Sequence, residues 1–136
     1  MIIRDFEIGD IKKGLLDVYK EVWSIDEITE KSITDYLSND NHMIVAEDNG
    51  IIVATLTLHL QKKLIRNGST AGFIEDFAVK ENYRGNNLGS KIIDYTIKKA
   101  RHFGCYKVVL SCFPERINFY EKNGFKQESV TMRFYL

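Results

Sequence analysis

Residues 77–94, FAVKENYRGNNLGSKIID, join an apolar run to a helical one through Arg84, Gly85, Asn86, Asn87, Leu88, Gly89 and Ser90. Glycine and asparagine reach backbone angles that other residues resist, so this stretch could curl into a nest of amide donors around an anion. A helix starting at its end would add about half a unit of positive charge, with Arg84 assisting. An ordinary tight turn is the competing reading. The stretch is not a Walker A loop, since Gly-Lys followed by Ser or Thr is absent, and it does not match Gly-x-Gly-x-x-Gly. Just upstream, Glu75 and Asp76 sit at the centre of the otherwise apolar GFIEDFAV. Carboxylates in a strand core are costly unless paired or hydrogen-bonded. They either serve a polar ligand or pair with Lys62, Lys63 or Arg133 to stabilise a sheet. No Ser-His-Asp or Cys-His constellation can be assembled by spacing. Cys105 and Cys112 lack the clustered His or Cys-x-x-Cys of a metal site, so no metal is expected. They read as strand-core cysteines, with a reactive thiol near a cleft as the alternative.

The elements that must position these groups alternate in type. MIIRDF reads as a strand, and Asp10 is placed to cap a helix with Ile11, Leu15, Val18, Tyr19 and Val22 on one apolar face. A second helical segment runs through IDEITEKSITDYL. MIVAED and IIVATLTLHL form a hairpin about Asn49-Gly50, whose residues suit a turn with positive backbone angles. GFIEDFAV is the next strand. The period then changes, and Leu88, Ile92, Tyr95 or Thr96, Ile97 and Ala100 predict a helix ending near His102 or Gly104. YKVVLSCF is a strand, Pro114 opens a short helix that Gly124 closes, and SVTMRFYL has strong strand propensity. The order predicts a mixed α/β (α+β) fold over residues 1–136 as a single domain, consistent with 136 residues of which 44% are hydrophobic. Nineteen basic and nineteen acidic residues cancel, so nucleic acid and anionic membrane are not expected partners. No apolar run approaches the roughly 20 residues of a membrane span, and a cytoplasmic location is the expectation.

VKENYRGNNLGSKIIDYTIKKA resembles the signature of the GNAT superfamily of N-acetyltransferases. There, Arg or Gln, two residues, Gly, one residue and Gly or Ala cradle the pyrophosphate of acetyl-coenzyme A. Arg84 and Gly89 match the two ends, and Asn87 stands where a glycine is usual. FIEDFAV, GCYKVVLSC and FYEKNGF together are similar to the eukaryotic-type glucosamine-6-phosphate N-acetyltransferases, well over residues 71–134 and less so before Asn67. The resemblance implies a central mixed, mainly antiparallel sheet flanked by helices, with acetyl-CoA as cosubstrate and a sugar-phosphate amine as acceptor. It implies that Glu75 and Asp76 place the sugar and amine, that the main chain of Phe77, Ala78 and Val79 meets the pantetheine arm, and that residues 84–90 hold the pyrophosphate. The Tyr120 hydroxyl would protonate the departing thiolate. Lys62, Lys63 or Arg133 would meet the sugar's phosphate, and a homodimer could exchange the terminal strand. Several positions depart from the pattern. Ser111 replaces an acid, Arg116 an asparagine, Phe73 a histidine, and Tyr135 an expected arginine. These departures touch the sugar half more than the cofactor half. They leave open another amino sugar, a polyamine, an aminoglycoside or a protein amine as acceptor, or a coenzyme A-binding protein without turnover.

Overall fold

The computed structural model describes residues 1–136. Its first strand, β1 (Ile2–Asp5), leads into a 3-10 turn over Ile8–Lys13, where Asp10 caps from the third position, in a capping box with Glu7, rather than from the cap position itself. Asp10 is the third residue of that turn and is fully buried. Arg4 donates to both its carboxylate oxygens at 2.7 Å, and the Glu7 amide donates to Oδ2 at 2.9 Å. Lys13, 3.2 Å from Asp10, and Glu47, paired with Arg4, close the cluster. A carboxylate with no exposed surface persists only with such complete pairing. The cluster therefore pins β1 and the turn to the strand carrying Glu47.

Gly14, at φ 84°, ends the turn and starts α1 (Leu15–Lys20), shorter than the apolar stripe suggested. Helix α2 (Glu30–Leu37) is capped reciprocally by Thr29 and Ser32, each side chain satisfying the other's amide. Strands β2 (Asn41–Asp48) and β3 (Ile51–Lys62) form the expected hairpin, with Asn49 and Gly50 at φ 49° and 80°. Strand β4 (Thr70–Val79) returns antiparallel to β3, and α3 (Leu88–His102) crosses to β5 (Cys105–Val109), which pairs parallel to β4. A 3-10 turn at Pro114–Arg116 precedes α4 (Ile117–Lys122). The sheet order is β1-β2-β3-β4-β5, and the fold is the mixed, mainly antiparallel sheet with flanking helices that the sequence implies.

Strand alternation sorts the core onto two faces. Ile44, Ala46, Val53, Leu56, Leu58 and Ile74 pack against Leu88, Ile92, Ile93 and Ala100 of α3. Met43, Val45, Ile52 and Ala78 pack against Leu15, Val18 and Ile33 of α1 and α2. Two expectations fail at the C-terminal end. β5 stops at Val109 rather than running to Phe113, and SVTMRFYL joins no sheet. Its Val130, Met132, Phe134, Tyr135 and Leu136 are all at least 80% exposed, and the segment lies on neither of the sheet's free edges, at β1 and β5.

Burial alone would raise the Asp10 carboxyl, but hydrogen bonds from Arg4, the Glu7 amide and Lys13 hold it down to about 2. Its stabilisation is therefore complete above the ordinary carboxylate range near pH 4 and is lost as pH falls through about 2. Asp10→Ala, which leaves Arg4 and Lys13 without their partner, should destabilise the fold by about 3 kcal/mol in urea unfolding at neutral pH. The difference from the parent should shrink between about pH 4 and 2; a constant difference would place the loss in packing rather than charge.

Candidate active site

A β-bulge opens the sheet where the two carboxylates lie. Thr57 pairs with Glu75 and Thr55 with Ala78, so Asp76 and Phe77 together oppose Leu56 alone. Asp76 takes φ 49°, in the left-handed region that aspartate tolerates better than most residues. Pairing of β4 with β5 ends at Phe73 and Val109. Beyond that point β4 keeps β3 on one side and presents an open edge on the other. The Lys80 amide donates to the Val53 carbonyl at 2.9 Å. By the two-residue alternation of the ladder, Ala78 turns its main-chain groups to β3, while Phe77 and Val79 turn theirs to the open edge. The structure thus brings Phe77 and Val79 to the cleft and gives Ala78 to the core of the opposite face.

The loop from Arg84 to Ser90 closes one end of this cleft. Gly85 and Asn87 have φ of 80° and 60°, so Asn87 supplies the left-handed angle for which the pattern usually has glycine. None of the amides from Gly85 through Asn86, Asn87, Leu88, Gly89 and Ser90 donates to a main-chain carbonyl, and no side chain accepts from them. Six consecutive free donors at the start of a 15-residue helix are the donor set that an anionic diphosphate requires. The Arg84 side chain is already engaged. Its Nε donates to the Val79 carbonyl at 2.9 Å, and its guanidinium lies 3.8 Å from Glu21. Glu21 also accepts from the Glu81 amide at 2.7 Å, so Arg84 and Glu21 shape the loop from the side of α1. Gly89 serves packing as well as backbone donation: a Cβ there would lie 3.1 Å from the Phe119 ring. That ring stands 6.4 Å from Phe77 and 5.0 Å from Tyr120, which rests on Phe125. Burial raises the Tyr120 phenol, with nearby Cys112 adding to the rise and Arg116 opposing it, so the hydroxyl keeps its proton at neutral pH. It has no hydrogen-bond partner in the chain yet is not enclosed. Cys112 is exposed beyond the end of β5 and is not a strand-core thiol, whereas Cys105 is half-buried.

On the opposite face stand Glu75 and Asp76, and neither forms an ion pair. The alternative reading, in which they pair with Lys62, Lys63 or Arg133, is not met. Asp76 instead accepts from the Tyr36 hydroxyl at 3.0 Å. Glu75 is raised above the usual carboxylate range by partial loss of solvent and by Asp76, with His59 opposing. His59, held to Asn41 at 3.0 Å, and Phe73 occupy the same face one register step down. Lys63 reaches that face, its Nζ 5.5 Å from the Phe73 ring centre. Lys62 pairs with Thr70 at the end of the ladder and alternates to the other side. Arg133 lies on the exposed tail, donating to the Tyr135 hydroxyl at 3.0 Å, and Ser111 touches that tail at Thr131. Sequence reasoning missed Tyr36 and Glu21, because they meet their partners, Asp76 and the Glu81 amide, across 40 and 60 residues from segments without a motif.

Residues 9–125 match the acetyltransferase (GNAT) family. The glucosamine 6-phosphate N-acetyltransferase of Arabidopsis thaliana is 33% identical over 141 residues, covering 98% of this chain and 95% of that protein. The corresponding enzyme 1 of Dictyostelium discoideum is 35% identical over 140 residues, covering 98% and 89%. The crystal structure of the Arabidopsis thaliana enzyme superposes with a TM-score of 0.90 at 32% identity over 98% of this chain and 97% of that one. A Trypanosoma brucei acetyltransferase superposes at 0.89 with 28% identity over 99% of both chains. This chain belongs to the GNAT family of acetyl-CoA-dependent N-acetyltransferases.

The free amides yield a discriminating test. Ser90→Glu puts an acid in the first turn of α3, which favours the helix dipole and should hold or slightly raise thermal stability. The same charge opposes a bound diphosphate, so acetyl-CoA affinity by calorimetry should fall roughly tenfold. Unchanged affinity in the folded variant would remove the diphosphate from this loop.

Proposed function

We propose that this chain transfers the acetyl group of acetyl-CoA to the primary amine of D-glucosamine 6-phosphate. The observation that carries the cofactor half is the run of free amides from Gly85 to Ser90 beside the open edge of β4. The acceptor follows from relatives of that name that align over nearly the whole chain. Bound acetyl-CoA supplies an activated thioester. The chain's own residues supply everything around it. The amides of residues 85–90 hold the diphosphate, and the Phe77 and Val79 main chain lines the path toward the bulge. Arg84, through Val79 and Glu21, sets the loop's position.

Attack requires an amine without its extra proton. Glu75, its carboxyl made more basic by partial burial and by Asp76, is suited to take that proton, while Asp76, steadied by Tyr36, orients the nitrogen and sugar. Tyr120 donates from its unpartnered hydroxyl to the sulfur that leaves. Lys63 is the cation best placed on this face for the sugar's phosphate. The exposed apolar tail, residues 129–136, supports a homodimer in which a second copy covers it, because such a segment is a liability when bare. Arg133 travels with that tail, and its reach toward the phosphate depends on the dimer. A monomer mass in sedimentation at micromolar concentration would reject that assembly.

Tyr120→Phe keeps the ring packed on Phe119 and Phe125 while removing the donor. We expect single-turnover acetyl transfer to slow by about tenfold to a hundredfold, toward the lower end for a proton given to a good leaving group, with acetyl-CoA affinity little changed. Transfer at the parental rate would return Tyr120 to a packing role. A coenzyme A release assay across glucosamine 6-phosphate, glucosamine, polyamines, aminoglycosides and peptide amines tests the acceptor. Saturation is expected with the sugar phosphate, and activity confined to another amine would overturn that choice.

A further inference from the structure

The acceptor face holds a slot that a sugar phosphate does not explain. It lies between α1, the segment after it, and α2, with a volume of about 190 Å³. Tyr19, Ile25, Ile28, Ile33, Tyr36 and Met43 line it together with Ser32, and Asp76 is the only charged group on its wall. An apolar cavity of about 150 Å³ is large enough to take benzene, so this one has room for a six-membered carbocycle with a short linker. A sugar ring placed here would lay most of its hydroxyls on that aliphatic wall, with only Ser32, the two tyrosine hydroxyls and Asp76 to partner them, at a cost of about tenfold or more in affinity for each one left unpaired. A cationic amine on an apolar body meets neither objection. Its nitrogen would face the Asp76 carboxylate, which the Tyr36 hydroxyl holds at 3.0 Å, and its body would fill the aliphatic wall.

We propose that this slot is an acceptor subsite for small primary amines carrying an apolar ring, and that the chain acetylates such amines in addition to a sugar phosphate. The commitment to a cation comes from Asp76, and the commitment to an apolar ring from the size and lining of the slot. Asp76 occupies the bulge at which β4 parts from β5, so an amine held by it sits at the mouth of the cofactor cleft. In the transfer, the bound ammonium first gives one proton to Glu75, and the nitrogen lone pair so freed forms the bond to the acetyl carbonyl carbon as the carbon–sulfur bond breaks. The electron pair leaves with sulfur, which takes the Tyr120 proton, and the second proton lost by nitrogen returns through solvent to the tyrosine. The products are an N-substituted acetamide and free coenzyme A. The inference rests on the acetyltransferase reading for this chemistry but not on glucosamine 6-phosphate as acceptor.

The single tryptophan, Trp23, packs 5.5 Å from the Tyr19 ring at the rim of the slot and reports occupancy without turnover. Phenethylamine is the probe, titrated into the full chain with and without acetyl-CoA while Trp23 fluorescence and coenzyme A release are followed. We expect a saturable fluorescence change, formation of N-acetylphenethylamine, and a KM for phenethylamine that rises about tenfold more than that for glucosamine 6-phosphate in Ile28→Ser, by loss of apolar contact. Ile25→Ser should act in the same direction and serves if Ile28→Ser fails to fold. No saturable change together with no acetylated phenethylamine would overturn the proposal, as would slot variants that weaken both acceptors equally. Saturable binding of phenethylamine without coenzyme A release from any amine would leave the slot standing as a binding site. It would overturn both the acetylation proposed here and the acetyltransfer reading beneath it.

Discussion

β4 and β5 run side by side only as far as Phe73 and Val109, and the arrangement of everything nearby depends on how they part. The pairing reaches the last residue of β5, and beyond it β4 runs on alone, with amides and carbonyls that are expensive to bury unpaired. Here Asp76 takes a left-handed backbone angle, two residues oppose one on β3, and the strand bends away from its partner. The resulting edge lies inside the molecule rather than at its rim. It is roofed by the start of α3 and by the Phe119–Tyr120 pair, so it is open to a narrow ligand but not to another strand.

The bend also divides the chemistry between faces. Free amides, Phe77, Gly89 and Tyr120 gather on the α3 side, where the cosubstrate family predicts its diphosphate and sulfur. Glu75, Asp76, Tyr36, His59 and Phe73 gather on the α1/α2 side. The two groups meet only at the bulge. A second link runs around the end of the sheet, where Glu21 at the end of α1 accepts from the Glu81 amide and approaches Arg84. The helix bordering the acceptor slot and the loop bordering the cofactor cleft are therefore joined by one carboxylate.

Local signals made much of this legible in the sequence. Asn49-Gly50 specifies its hairpin by backbone angle alone, and the i, i+4 spacing of Leu88, Ile92, Thr96 and Ala100 specifies α3 by its buried stripe. The glycine-asparagine loop was readable for the same reason, its requirement being one of backbone angle. What stayed hidden depends on contacts between distant segments. Asp10 looks like a cap because caps are local, whereas its further role follows from Arg4 and Glu47, the latter on a strand that pairs only after folding. Arg84 matches a phosphate-binding pattern, yet its side chain is occupied by Val79 and Glu21. Strand propensity in SVTMRFYL is real, but propensity states what a segment can pair as and not whether the fold carries it to an edge.

Gly89 and Phe119 approach so closely that a β-carbon at 89 would stand 3.1 Å from the ring. Thirty positions apart in the chain, they behave as one unit of substitution. A methyl group at 89 requires the ring to shift or to be replaced by something smaller, and a smaller residue at 119 leaves a void that only a side chain at 89 can refill. Changes at the two sites are therefore non-additive, each altering the sign or size of the other's effect. A route through sequence space that alters the end of the amide loop must pass through the aromatic pair as well.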